Sequence, residues 1–389
     1  MDKHGHFNPS QHGFRGNRSC LSQLLAHYDQ ITRLLEEGKN VDIVYLDFSK
    51  AFDKVDIGIT LRKLNDIGVK GRLGRWLHNF LTGRLQSVIV NGEASLTEAV
   101  RSGVPQGSVL GPLLFLILIG DIEKNILNSF LSSFADDTRI GRGISSQEDA
   151  SILQDDLNSV YKWAEENNMK FNSEKFETMH YSLQTDADTA SASEYVADDG
   201  TVIEQKSSLR DIGVNMSNNA LFTEHISSKV SSITSKIAWV LRTFQTRQKE
   251  PMLTFWKQLV LNDHDYCSQL WNPSRTGEIQ SLELLQRGFL RKIRGVQHLS
   301  YWQQLQHLKV YSLERRRERY IAIYIWKVLE GLATNMPGQA AISSKTHPRR
   351  GRECFVPNVA PSATKRVKAI RYASFRVKGP NISNSYRKL

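Results

Sequence analysis

Two adjacent carboxylates, Asp136 and Asp137, follow Phe134-Ala135, and a third, Asp47, closes the largely apolar run Val41-Asp42-Ile43-Val44-Tyr45-Leu46. Acids brought together in such surroundings repel one another, and a cation that neutralises them removes that cost. Two Mg²⁺ ions about 3.5–4 Å apart can bridge such acids, activating an attacking oxygen and stabilising a leaving one. Magnesium takes carboxylate oxygens together with substrate phosphates in preference to an all-protein cage. Val41 to Leu46 reads as a buried strand with Asp47 at its carboxyl end. Phe130 to Phe134 and Thr138-Arg139-Ile140 read as the arms of a hairpin with the acids at its tip. Asp47 and Asp136 are 89 residues apart in the chain, so only a tertiary fold can join them. An Asp-Asp pair alone is more often a plain turn, because Asp favours such sites. The weight comes from the motifs that lie between and after the acids.

With 389 residues the chain can hold two or three domains and a sizeable core. The longest apolar stretch, Val109 to Ile119, contains Gly111 and Pro112; it is too short to span a bilayer and reads as a buried helix. The start, Met1-Asp2-Lys3-His4-Gly5-His6, lacks the apolar core of a signal peptide. Cys20, Cys267 and Cys354 are too widely spaced for a disulfide framework or a zinc site. An intracellular protein, nuclear or cytoplasmic and not secreted, with no membrane partner, is expected. The net charge of +11 conceals a division. Residues 1–221 carry 22 Lys+Arg against 30 Asp+Glu, net −8, and residues 222–389 carry 29 against 10, net +19. An acidic half followed by a strongly basic half suits a polyanion partner better than it suits a merely solvated basic surface.

Ser19 to Glu37 has an amphipathic helical pattern ended by Gly38. Leu61-Leu64 and Trp76 to Leu81 mark two short helices, the second stopped by Gly83. Arg84 to Val90 reads as a strand leading into an Asn91-Gly92 hairpin turn. Ser145 and Glu148 have capping-box spacing for a helix carrying Leu153, Leu157, Val160 and Ala164 on one face. Residues 184–200 read as an acidic loop or weak hairpin. The second half reads as helices, one through Ile226, Ile233 and Leu241, one started by Pro251, one through Leu282 and Phe289, and one holding Arg315, Arg316, Arg317 and Arg319.

The order of motifs resembles a known family. Asp47-Phe48-Ser49-Lys50-Ala51-Phe52-Asp53, then Gly103-Val104-Pro105-Gln106-Gly107-Ser108, then Phe134-Ala135-Asp136-Asp137, is similar to the reverse transcriptases of non-LTR, LINE-type, jockey-like retrotransposons. Gln11-His12-Gly13-Phe14-Arg15, Phe171 to Lys175 and Leu209 to Val214 fit the same pattern, as do Tyr266 to Trp271 and Tyr311 to Arg317. The resemblance implies an α/β fold: a polymerase right-hand palm with a small antiparallel sheet, partial fingers and a helical thumb. It implies a fingers remnant over 1–40, a palm over 41–215 with a fingers-type insertion near 57–100, a helical basic thumb over 216–335 and a loose basic tail over 336–389. Members carry a longer fingers region ahead of the motif that begins at Gln11, so a copy truncated at its N-terminus is expected.

The roles implied by the resemblance attach to matching positions. Asp47 and Asp136 would be the principal ligands of two Mg²⁺ ions, or of Mn²⁺ in their place, with the Phe48 carbonyl as a backbone ligand and Asp137 as an auxiliary acid. Phe52 would crowd the ribose 2′-OH and so favour deoxynucleotides. Gln106 and Gly107 would lie against the incoming nucleotide and template. Lys175 would protonate the pyrophosphate leaving group, and Gly213 would grip the primer end. The expected reaction is RNA-directed DNA synthesis, with an RNA template and DNA primer, or an RNA–DNA duplex, and deoxynucleotide triphosphates as partners. The alternatives are an inactive remnant that binds RNA or DNA, an RNA-dependent RNA polymerase or intron maturase with a similar palm, and a purely structural or protein-interaction role.

Overall fold

The computed structural model describes residues 6–183, 193–334, 343–346 and 353–356. Contacts divide the chain into two units, one of residues 1–19, 39–180 and 184–206, the other of residues 20–38, 181–183 and 207–389.

The apolar run that ends in Asp47 forms the central strand of the first unit. β1 (Asn40–Leu46) has a strand on each side, and five of its seven residues, on both faces, are buried. The sheet also contains β2 (Phe130–Phe134), β3 (Asp137–Ile144), β4 (Glu177–Tyr181) and β5 (Glu204–Gln205), in the order β2-β3-β1-β4-β5. β1 pairs antiparallel with β3 from Asn40↔Ile144 to Leu46↔Thr138, and β2 pairs antiparallel with β3 from Phe130↔Gly141 to Phe134↔Asp137. The short β5 runs parallel to β4. Asp42, in the same strand as the end that carries Asp47, is buried and committed: His180 Nδ1 and the Tyr195 hydroxyl each lie 2.5 Å from its carboxylate.

Helices cover this sheet. Leu110–Leu118 is apolar all round and buried accordingly. Gln147–Glu166 buries Leu153, Leu157, Val160, Trp163 and Ala164 in the core. Its capping box sits one residue later than the spacing of Ser145 and Glu148 indicates. Ser146 is the cap and Asp149 its reciprocal partner, and the Asp149 carboxylate also takes Arg142 at 2.9 Å. A shorter acid at that position serves both tasks. The helices Ile57–Asp66 and Gly71–Leu81 form as expected, with Asp56 capping the first through the Ile59 N–H at 2.8 Å. The expected strand from Arg84 to Val90 is instead two short pieces, Leu85–Gln86 and Ile89–Val90, paired with Glu98–Ala99 and Glu93–Ala94.

The second unit is mostly helical. It contains Cys20–Glu36, a hairpin of Ser208–Asp211 with Val214–Ser217, and the helices Thr223–Thr243, Thr276–Leu290 and Leu313–Leu329. A π-helical turn, Trp256–Val260, separates Lys249–Phe255 from Leu261–Asp265, a feature that apolar periodicity does not disclose. The arginine cluster is less available than its sequence suggests. Arg316 makes an ion pair with Asp265 at 2.7 Å, and Arg317 is 1% exposed, donating to Asn272 at 3.0 Å with His264 Nε2 at 2.8 Å. Arg315 pairs with Glu318, and Arg319 lies over the Tyr311 ring. Of the expected tail 336–389, only Ser343–Thr346 and Glu353–Val356, paired antiparallel, are described; the rest, and residues 184–192 of the acidic loop, lie outside the described residues. Among the described residues no helix is long and apolar enough to cross a membrane.

Candidate active site

The register of the sheet brings the acids together. Leu46 opposes Thr138, so the next residues outward are Asp47 on one strand and Asp137 on the other, with Asp136 in the turn beyond. Ala135 and Asp136 form that two-residue turn, and Ala135 has φ +56°, the sign pattern of a type II′ turn. Burial pushes the Asp136 carboxyl above its ordinary pKa, and the charges of Asp137 and Asp47 push the same way. Asp136 is half-buried and Asp137 exposed. Asp47 makes an ion pair with Lys175 at 3.2 Å, with side chains 40% and 65% exposed respectively. A pair so exposed contributes less than about 1 kcal/mol, so either partner can be taken up by a stronger ligand at little cost.

Backbone lacing fixes Asp47 and Lys175. The Asn172 N–H donates to the Asp47 carbonyl at 2.8 Å, and the Ser49 N–H donates to the Lys170 carbonyl at 2.8 Å. These bonds flank the Phe48↔Phe171 bridge, whose rings stack at 4.5 Å. The carbonyl of Phe48 itself takes no part in that pair, as expected at a non-hydrogen-bonded position of an antiparallel bridge.

A second loop is tied to the turn after Phe48. The Gly103 N–H donates to Val55, the Val104 N–H to Phe52, and the Ser102 hydroxyl to Asp53. Gly103, at φ +82°, has no room for a side chain: a Cβ there would lie 2.8 Å from the Asp53 carbonyl oxygen. Gln106 is exposed and donates to the Asp53 carboxylate at 2.7 Å, while Gly107, at φ +77°, faces open space. The Phe52 ring lies 4.6 Å from the core ring of Phe115 and meets the exposed ring of Phe14 edge-on at 6.0 Å.

Gly213 belongs to the second unit, in the turn between Asp211 and Val214, at φ +80°. Tyr266 holds that turn: its hydroxyl donates to the Ile212 carbonyl at 2.8 Å, and its ring lies 3.2 Å from where a Gly213 Cβ would sit.

The donor set suits a hard divalent cation that brings part of its own shell. Among the described residues no three His, Cys, Asp or Glu side chains gather into a group that could hold a metal alone. Asp47, Asp136 and Asp137 at one end of the sheet, with the Phe48 carbonyl beside them, fit Mg²⁺ completed by water and phosphate oxygens.

Residues 1–216 match the family model described as reverse transcriptase (RNA-dependent DNA polymerase). The chain belongs to the reverse transcriptase family. It is of the non-LTR, jockey-like kind. It is 27% identical over 304 residues to the probable RNA-directed DNA polymerase from transposon X-element of Drosophila melanogaster, covering 76% of this chain and 33% of that one. Against the RNA-directed DNA polymerase from mobile element jockey of the same species it is 25% identical over 299 residues, covering 73% and 32%. The chain thus spans about a third of the length of the curated relatives it matches. Apo telomerase from Candida tropicalis aligns over 85% of this chain and 56% of its own, at 12% identity and a TM-score of 0.45. Reverse transcriptases generally use divalent metals, which agrees with the acids gathered here.

Sequence reasoning named the acids and the loop residues but gave no task to Gln11, Gly13 or Gly103. The signal was present in the Gln-x-Gly spacing of Gln11 and Gly13, but what those residues touch is 124 positions away from Gln11 in the chain.

Proposed function

We propose that this chain is the palm and thumb of an RNA-directed DNA polymerase, adding deoxynucleotides to a primer 3′-OH along an RNA template. The observation that carries the reading is the strand register that sets Asp47 opposite Asp137, with Asp136 in the turn beyond, in a member of the reverse transcriptase family. Asp47, Asp136 and the Phe48 carbonyl hold the cations, with Asp137 as auxiliary acid. When bound, two Mg²⁺ ions, or Mn²⁺, lower the barrier by activating the primer hydroxyl and neutralising charge on the pyrophosphate. Phe52, backed by Phe115, excludes a 2′-OH by occupying its space. Gln106, oriented by Asp53, and Gly107 present backbone and amide to the incoming nucleotide and template. Lys175 exchanges Asp47 for the leaving group and gives it the proton on Nζ. Gly213, held by Tyr266, lets the backbone approach the primer end.

The palm in this reading runs over 41–215 with a fingers-type insertion near 57–100, the thumb over 216–335, and residues 1–40 and 336–389 are a fingers remnant and a basic tail. The partners are an RNA template with a DNA primer, or an RNA–DNA duplex, and deoxynucleotide triphosphates, inside the cell. Primer extension on an RNA template, with Mg²⁺, by the wild type beside Asp136→Asn tests the reading. Extension by the wild type alone supports it. Duplex binding with no extension by either would replace it with a nucleic-acid-binding remnant.

A further inference from the structure

Gln11 is a polar side chain only 3% exposed, and it spends its whole carboxamide on one residue of the acid-bearing turn and one of its own loop. Its Oε1 accepts from the Ala135 N–H at 2.7 Å and its Nε2 donates to the Ala135 carbonyl at 2.9 Å. The same Oε1 accepts from the Gly13 N–H at 2.7 Å, which folds the segment back on itself. On either side of Gln11 the backbone runs beside β2: the His12 N–H donates to Ser133 at 2.9 Å, and the Ser133 N–H to Ser10 at 3.2 Å. Gly13 closes the contact so tightly that a Cβ there would stand 2.3 Å from the Ala135 nitrogen.

Ala135 needs such a partner. Its left-handed φ of +56° costs an L-residue about 1–2 kcal/mol, and conformations of this kind persist only where the surroundings over-determine them. It is also 6% exposed, so its N–H and C=O must be satisfied from within. A carboxamide offers one donor and one acceptor on a single planar group, the complement of one residue's backbone. A carboxylate keeps the acceptor and loses the donor, an aliphatic side chain loses both, and Asn is one methylene short.

We propose that Gln11 and Gly13 are positioning residues for the metal carboxylates: together they clamp Ala135 and thereby set the direction in which Asp136 leaves the turn. Neither touches substrate or metal. The consequence for metal binding rests on the reading of Asp136 given above; the clamp on Ala135 does not.

Hydrogen–deuterium exchange across Phe130–Ile144 in the full chain, without metal or nucleic acid, tests the clamp, with Mn²⁺ affinity followed by electron paramagnetic resonance as the second readout. In Gln11→Leu the Ala135 amide is expected to exchange about 10–100-fold faster, and Mn²⁺ to bind about 10-fold more weakly, while amides of β1 keep their protection. Gln11→Glu, which retains the acceptor, should leave Ala135 protected to within about threefold. If Gln11→Leu does not fold, Gln11→Asn carries the same expectation. Unchanged exchange at Ala135 in folded Gln11→Leu or Gln11→Asn, or uniform acceleration across the sheet, overturns the proposal. Faster exchange at Ala135 in a protein whose wild type extends no primer supports the clamp and removes only the polymerase reading.

Discussion

The Ala135–Asp136 turn and the Asn91–Gly92 turn both join antiparallel strands through two residues of the first unit. In the outer hairpin the local sequence supplies everything the geometry asks for. Asn91 at φ +51° and Gly92 at φ +90° are the residue types that a two-residue turn with both φ values positive selects, and nothing lies within 4 Å of where a Gly92 Cβ would sit. Its strands are exposed, with Ile89 and Val90 at 69% and 62%. In the inner hairpin an alanine takes the left-handed position, and Gln11 and Gly13 hold it there. One turn is self-sufficient; the other depends on distant residues and carries the acids. Of the two turns, the one whose residue type disagrees with its conformation is the one that carries the acids.

The largest effect should come from the inner turn. Asp136→Asn should cost primer extension more than the roughly 10–100-fold typical of residues that only support a metal ligand. It should also stabilise the metal-free protein. Because the folded state raises the Asp136 pKa, the native state binds the proton more readily. Stability therefore falls as pH rises from the unfolded pKa through the folded one. At neutral pH the ionised acid costs stability, and its removal should raise the melting temperature by roughly 1–3 °C. A melting temperature that falls would mean that Asp136 is satisfied by the fold rather than held for a ligand.

Next in size is Gly13→Ala. The added methyl meets backbone, which cannot yield as a side chain can, so about 1–3 kcal/mol of stability should be lost. Mn²⁺ affinity should fall by about 10-fold or more. A denaturant titration together with the metal titration checks both. Loss of stability without loss of affinity would reduce Gly13 to a packing residue and erase the contrast with the outer turn.

The clamp segment also brings an acid sensitivity that the outer hairpin has no part in. Burial first, then the charges of Arg18 and Arg15, lower the His12 pKa from 6.5 to about 3. Below pH 6.5 the unfolded chain takes up a proton that the native chain refuses, so stability falls as pH falls through that window. At pH 5 this amounts to about 2 kcal/mol relative to neutral pH. His225, lowered to about 4 by burial and by Lys229 and Arg210, adds a similar sensitivity in the second unit. In His12→Gln the first contribution should vanish, read as a smaller loss of stability between pH 7 and pH 5 than in the wild type.

How far the sequence could be read follows the same division. The strand ending at Asp47, the hairpin tipped by the acids, the Asn91-Gly92 turn and the long helices all rest on local patterns, and local patterns survive without knowledge of the fold. The capping box slipped by one residue because Asp149 also serves Arg142, a partner no spacing reveals. The π-turn at Trp256–Val260 interrupts helical periodicity without a breaker residue. Arg316 and Arg317 look like phosphate ligands in a basic run, yet Asp265, Asn272 and His264 engage them within the fold. The Gln11 clamp was invisible for a related reason: its partner is a backbone, and a backbone has no signature in a sequence.

The smallest effect belongs to Gly92→Ala. A left-handed alanine at φ +90° costs about 1 kcal/mol. Nothing lies within 4 Å of the added methyl, so no further strain is transmitted. The hairpin should fray locally, with faster exchange from Ile89 to Ala94. Ala135 protection and Mn²⁺ affinity should stay within about twofold of the wild type, as for a surface change away from any site. Because Gly92→Ala and Gly13→Ala add the same methyl to the same unit, the ratio of their effects on metal affinity isolates what the clamp contributes. A ratio near one would mean that both turns feel any strain in the unit alike, and the acids would then owe their placement to the sheet as a whole rather than to Gln11 and Gly13.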